Sequence, residues 1–483
     1  MSAAAALLLP AIRWDANHGY TQERAAIEKA LALGVGGFIL FGGEVEHVRA
    51  LTKELRQRSR VPLLIAADLE RGAGQQFSGS TGLPPLAAIA SLGDIDAVRR
   101  AARLTAREAR TLGLNWDLAP VCDLDIVPEN PIVGTRSLGG DARRVAMLAQ
   151  AWIKECQAEG VLACAKHFPG HGRTRTDSHS GLPVVDASRA ELMEHDLAPF
   201  RAAIEAGVAG VMTAHVAYPA LDASGAPATM SREMLQWLLR QQMRFEGLIV
   251  TDAMIMEGAI AEHGEVEATI LALDAGCDLL LYPKDLEAVA TALDRAVAAH
   301  RLDAGRIQSS LRRRLKWAQW SSPPNEYRRP SGTDVLWGAQ LADRVVHVVH
   351  GSPPAIKAPL DIVVVDDDLG GPYPPPSRDG LLDTLFAAGW KARRLEQFDQ
   401  SAESSSVVAL YGETRAWKQR VGYSAAALDA VKQACKDRPD AIVLQFGHPR
   451  LASQLSFARY VVSAWGGEVA MQSAAARWIM RAR

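Results

Sequence analysis

At 483 residues the chain is longer than one hydrophobic core usually serves, so two domains are expected. Its 48% hydrophobic and 22% charged residues are an ordinary soluble composition, and a formal net charge of −2 lacks the electrostatic footprint of a nucleic-acid or anionic-membrane binder. Five cysteines (Cys122, Cys156, Cys164, Cys277, Cys435) are odd in number, with no paired metal-ligand spacing; they read as buried free thiols in a reducing compartment.

In chain order, residues 5–9 form an apolar run with no basic stretch before it and no cleavage site before Arg13-Trp14-Asp15. They are expected to be the first strand and not an export signal. No other run is long or uncharged enough to span a bilayer, and the expected location is cytoplasmic. Short β-branched or leucine-rich runs follow at residues 37–41, 63–67, 115–119, 161–165, 210–213, 248–251 and 278–281. Between them, residues 97–112, 143–159, 189–206, 234–243 and 286–300 carry Ala, Leu, Arg and Glu at helical spacing. Gly207, Gly247 and Gly276 stand where helices should stop. About eight strands alternating with helices close a TIM-like (β/α)8 barrel, expected over residues 1–320.

The polar, proline-rich stretch from Ser321 to Pro330 can continue neither helix nor sheet, and a linker is expected over residues 321–340. A second α/β pattern fills residues 341–483. Its strand-like runs lie at 361–365, 407–410, 441–445 and 459–463, and its helical stretches at 425–435 and 471–481. This predicts a smaller open α/β sandwich domain. Gly370-Gly371-Pro372-Tyr373-Pro374-Pro375-Pro376 reads as a loop within it.

The densest chemistry is Lys166-His167-Phe168-Pro169-Gly170-His171-Gly172, followed by Asp177-Ser178-His179. Lys166 and His167 should emerge at the C-terminal end of the fifth strand, the end that carries the active site in such barrels. The other strands present polar groups on the same rim: Asp68 and Glu70 after the third, Asp117 and later Arg136 after the fourth, His215 after the sixth, Asp252 after the seventh. Burying charges is costly unless they are paired, so a ring of them calls for mutual pairing, a polar ligand, or both.

These motifs, KHFPGHG from Lys166 to Gly172 and Asp177-Ser178-His179, with Gly134-Thr135-Arg136-Ser137 before them and Thr251-Asp252 after, resemble family 3 glycoside hydrolases of the β-N-acetylglucosaminidase (β-N-acetylhexosaminidase) type. The resemblance spans most of the barrel, and many members carry a second α/β domain. It implies a TIM-like barrel, a retaining reaction with Asp252 as nucleophile, and an Asp177/His179 acid/base dyad. It further implies that Asp68, Arg136, Lys166 and His167 hold the sugar. By their place on the rim Asp117 and His215 are weaker candidates, and His171 is expected to tie the loop through hydrogen bonds. Two departures touch the sugar's neighbourhood: Arg71 precedes Gly72 where the family often has glycine, and Ala253 follows Asp252 where an acidic residue is common.

A retaining glycosidase needs an anionic nucleophile and a second group that first gives and then takes a proton. Residues two apart on an extended segment project to one side, so Asp177 is expected to orient His179. The glycine-rich loop is expected to let His179 move in and out. The expected function is an exo-acting retaining β-N-acetylglucosaminidase acting on cell-wall fragments (muropeptides, hence peptidoglycan recycling) or chitin-derived oligosaccharides. No cofactor and no metal is implied, the partner is a small carbohydrate, and composition does not decide the oligomeric state. A family 3 β-glucosidase or β-xylosidase would need Glu413 or Glu468 of the second domain as acid/base. An N-acetylglucosaminide phosphorylase would use the same residues with phosphate in place of water, because histidine tolerates an approaching dianion better than a carboxylate does. A metal site from His167, His171 and His179 is disfavoured by its placement on a loop.

Overall fold

Pro10 has no amide hydrogen to give to a sheet, and it divides the first strand in two: β1 (Leu8–Leu9) and β2 (Ala11–Arg13). The expected strand at residues 5–9 is therefore a correction, since Ala4–Leu7 is a 3-10 turn and the chain becomes extended only at Leu8. The structure, a computed structural model, describes residues 4–321, 331–368, 375–414, 418 and 420–482.

From there the strands are β3 (Gly37–Phe41), β4 (Leu64–Ala67), β5 (Trp116–Asp117), β6 (Leu162–Phe168), β7 (Gly210–Thr213), β8 (Leu248–Ala253) and β9 (Leu279–Leu281). Their order in one nine-stranded sheet is β1-β9-β8-β7-β6-β5-β4-β3-β2. Every neighbouring pair is parallel. Because β1 and β2 are the two halves of one split strand at the two ends of that order, the sheet curls round on itself as a TIM-like barrel. Helices cover it on the outside, which is why these strands read as near-continuous apolar runs. Aspartates start three of the helices: Asp141, Asp285 and Asp303 accept from Arg144 N, Ala288 N and Arg306 N. Such a cap is worth about 1 kcal/mol.

By packing, Met1–Thr81, Ile95–Asn130 and Ser137–Ser331 form one compact unit, and Gly82–Asp94, Pro131–Arg136 and Gly332–Arg483 form the other. Two excursions from the barrel half of the chain thus pack with the second unit, which a division by chain order does not anticipate. Within the expected linker, residues 322–330 lie outside the described residues, and Gly332–Val345 is a helix. Its buried positions, Gly338, Leu341, Ala342 and Val345, follow helical spacing. Most of the Gly370–Pro376 loop also lies outside the described residues.

The second unit is a six-stranded sheet of β10 (His347–His350), β11 (Leu360–Asp366), β12 (Ala392–Leu395), β13 (Ser405–Tyr411), β14 (Ile442–Phe446) and β15 (Tyr460–Ser463), in the order β10-β15-β14-β13-β11-β12. Only β10 runs antiparallel to its neighbour. Alternate residues feed two cores, as the period of a strand requires: Val407, Ala409 and Tyr411 enter one and Val408 and Leu410 the other. Helices Gly332–Val345, Gly380–Ala387 and Val469–Arg481 cover the first core and Ala425–Asp437 the second, making an α/β sandwich.

Candidate active site

The polar residues at the C-terminal ends of the barrel strands form two linked clusters. The first surrounds Lys166 on β6, whose side chain is 1% exposed. Its Nζ lies 2.6 Å from Asp68 Oδ1 and 2.7 Å from Glu70 Oε1, both just past β4. Asp117, at the end of β5, is fully buried nearby and accepts from Trp152 Nε1 at 3.3 Å. Burial pushes its carboxyl up to about 7, although the Lys166 charge works in the opposite direction. Asp68 keeps 27% side-chain exposure while Glu70 keeps 4%, so of the two carboxylates Asp68 is the one open to a ligand.

The second cluster surrounds Asp252 on β8. Its Oδ1 accepts from the Ala253 amide at 2.7 Å, and its Oδ2 lies 3.8 Å from His167 Nε2. Burial opposes its charge, but His167, His215, the Ala253 amide and His179 outweigh that and hold the carboxyl down at about 2. The side chain is still 22% exposed, so the carboxylate is not closed off from solvent.

His167 is gripped from behind by Asp123, a residue that sequence reasoning passed over. Asp123 is wholly buried in the irregular segment after β5. Its Oδ2 lies 2.6 Å from His167 Nδ1, and its Oδ1 accepts from the main-chain N of His167 at 3.1 Å and of His171 at 2.6 Å. Burial opposes its charge, yet His167 and His171 together with these bonds hold its carboxyl below the usual range. Asn130, also passed over, donates to the carbonyls of His171 and Thr174 and ties the same loop. The available signal was a run of short polar residues, Asp123, Asp125 and Asn130, in a stretch with no strand or helix period.

His171 is structural, as expected. Its ring contacts Thr174 Oγ1 at 2.8 Å and Ser178 Oγ at 3.1 Å, and burial pushes its pKa down to about 4, so it is neutral at physiological pH. His215 is buried, and burial lowers its pKa although Asp252 pulls the other way. Its Nε2 donates to the Ala253 carbonyl at 3.2 Å and its Nδ1 meets Thr229 Oγ1 at 2.8 Å, so it braces the backbone beside Asp252.

Asp177 and His179 meet, with Asp177 Oδ1 2.8 Å from both the main-chain N and the Nδ1 of His179. The expected reason is corrected: the segment is a turn, not an extended strand. The Asp177 carboxylate bonds the amide two residues on while its carbonyl accepts from Ser180 N, the Asx-turn habit of aspartate. The turn is pinned on both sides. Ser178 O accepts from Gly258 N at 2.9 Å, and Pro183 O accepts from Ala217 N. Gly258 has no room for a side chain, since a Cβ there would sit 2.9–3.0 Å from the carbonyl oxygens of Ser178, Gly181 and His215.

Asp68, Lys166, His167, Asp177, His179 and Asp252 are thus gathered on the barrel. Arg136, expected on the same rim, lies in the 3-10 turn Gly134–Arg136 of a segment that packs with the second unit. The cysteines offer no thiolate: burial raises all five thiols, Cys435 least, to about 11. Among the described residues, no group of three or more His, Cys, Asp or Glu is placed to hold a metal ion, and no helix is long and apolar enough to cross a membrane.

Residues 9–316 match the glycosyl hydrolase family 3 N terminal domain. The chain is 38% identical over 273 residues to a β-hexosaminidase of Thiobacillus denitrificans, covering 54% of this chain and 75% of that one. It is also 38% identical over 264 residues to a β-N-acetylglucosaminidase/β-glucosidase of Cellulomonas fimi, covering 53% of this chain and 47% of that one, so the match spans about half of that enzyme's length. Among solved structures, a glycoside hydrolase family 3 β-N-acetylglucosaminidase from Paenibacillus sp. matches 100% of this chain and 96% of its own at 27% identity, with a TM-score of 0.84.

Proposed function

Because the chain belongs to glycosyl hydrolase family 3, we propose that it is an exo-acting retaining β-N-acetylglucosaminidase that removes terminal non-reducing N-acetylhexosamine residues from cytoplasmic muropeptide or chitin-derived fragments. The observation that carries the reading is Asp252: an ionised, partly exposed carboxylate at the end of β8 whose charge is favoured by three imidazoles, two of them paired with buried aspartates.

In the first half-reaction an Asp252 oxygen attacks the anomeric carbon as the bond to the aglycone oxygen breaks. His179 gives that oxygen its proton. In the second, His179 takes a proton from water, whose oxygen attacks the anomeric carbon and releases Asp252. Asp177 accepts the Nδ1 proton, which leaves Nε2 as the nitrogen for proton transfer. With Ala253 N on Oδ1, Asp252 Oδ2 is the oxygen suited to attack. Asp68 accepts from vicinal sugar hydroxyls, Lys166 sets its orientation, and His167 donates to sugar oxygens. The names of the relatives support N-acetylhexosamine as the sugar.

The test is release of chromophore from aryl β-N-acetylglucosaminide, β-glucoside and β-xyloside, each with and without phosphate. Turnover of the first alone, indifferent to phosphate, supports the proposal. Preference for the glucoside or xyloside, or dependence on phosphate, overturns it.

A further inference from the structure

Asp252 lies 3.8 Å from His167 of β6, and its charge is also favoured by His215 from the segment after β7 and by His179 from the Asp177–Ser180 turn. His215 is tied to Thr229 and the Ala253 carbonyl, and His179 to Asp177. His167 differs in sitting between two carboxylates, 2.6 Å from Asp123 on its Nδ1 side and 3.8 Å from Asp252 on its Nε2 side. The charged and titratable groups packed against this ring are Asp123 from the segment after β5, His171 from the loop after β6 at 6.1 Å between ring centres, and Asp252.

We propose that Asp123 is a positioning residue that acts on the nucleophile through His167. By accepting the Nδ1 proton and the main-chain amide of His167, it fixes the ring with Nε2 toward the Asp252 carboxylate. The geometry leaves little freedom. A carboxylate accepts and cannot donate, so the proton between His167 and Asp123 resides on Nδ1. The second bond, from the His167 main chain, removes rotation of one group against the other. Asp123 has no exposure to solvent, so it cannot itself reach a sugar. His171, whose amide shares Asp123, is also held by Asn130, so the loop keeps an anchor of its own when Asp123 is altered.

The inference rests on the nucleophilic role given to Asp252 above. Its test is the pH dependence of kcat/KM, on whichever aryl glycoside turns over, for the full chain, Asp123→Asn, His167→Gln and the double variant. Asp123→Asn exchanges a charged acceptor for an amide that holds Nδ1–H more weakly, so the ring is freer to turn from Asp252, which then loses a neighbour that holds its carboxyl down. The expected result is an acid limb raised by about one pH unit or more, tenfold in proton affinity. His167→Gln should raise the limb as well, and adding Asp123→Asn to it should shift the limb no further. A fall in rate with the acid limb unmoved would mean that Asp123 only braces the loop and would overturn the proposal. Should Asp123→Asn not fold, 15N-histidine spectra of the unaltered protein decide, with the His167 signals assigned by their loss in His167→Gln. A protonated Nδ1 supports the proposal and a bare Nδ1 overturns it. This readout needs no substrate, so it stays decisive even if the glycoside panel fails to favour the N-acetylglucosaminide.

Discussion

Asp177 Oδ1 accepts from both the main-chain N and the Nδ1 of His179, each at 2.8 Å. One oxygen therefore fixes the turn and the imidazole together, and a residue whose own side chain is 1% exposed governs one that is 20% exposed.

This division of labour predicts a dependence on the leaving group. His179→Ala should lower kcat/KM for glycosides with poor leaving groups by about 10²–10⁴ while sparing kcat/KM for those with strongly acidic phenols, which depart without a proton. Asp177→Asn should follow the same trend more weakly. Steady-state rates across a series of substituted phenyl glycosides check this; an equal loss for every leaving group would remove His179 from proton transfer.

Asp252→Ala should abolish turnover of every substrate in that series. In His179→Ala, whose deglycosylation lacks a base, an activated aryl N-acetylglucosaminide should leave the protein heavier by one N-acetylhexosaminyl group. Intact-protein mass spectrometry reads this, and the increment should be missing when Asp252→Ala is added. An increment that persists would place the nucleophile elsewhere.

Lys166 compensates Asp68 and Glu70 while almost wholly buried. Removing one member of such a cluster strands the others, so Lys166→Met should cost about 3–5 kcal/mol of stability. Adding Glu70→Gln should restore part of it. Denaturant unfolding of the original and the two variants measures the change, and a Lys166→Met protein as stable as the original would show that the cluster is more hydrated than its burial suggests.

Asp117 gives a dependence of stability on pH. Its folded pKa, about 7, lies above the ordinary carboxyl value, so between the two the folded chain holds a proton that the unfolded chain has lost. Stability therefore falls as pH rises from about 4 to about 7 on account of this group. Asp117→Asn removes the effect, and its melting temperature relative to the unaltered protein should be higher at pH 8 than at pH 5. A difference independent of pH would mean that Asp117 is ionised throughout.

The barrel was legible because its parallel strands are buried on both faces and announce themselves as short apolar runs. That Lys166, His167, Asp177, His179 and Asp252 would gather on the barrel was legible because they sit at or just beyond the ends of such runs or in a dense polar motif. Asp123 and Asn130 were not: the segment after β5 has no period, and its role depends on reaching across to another loop. The excursions Gly82–Asp94 and Pro131–Arg136 were missed for a related reason, since chain order does not tell which core an irregular segment packs on. β10 was missed because all four of its residues are exposed and carry no hydrophobic alternation.

Gly258 joins the Asp177–Ser180 turn to the chain that follows Asp252, with three carbonyl oxygens closed around a position that tolerates only hydrogen. Adding one methyl group, Gly258→Ala, would therefore act as a wedge: it touches neither reacting group, yet it would prise the His179 turn and the His215 backbone away from it at once. The two segments are cast as a single part, and neither can be altered there without displacing the other.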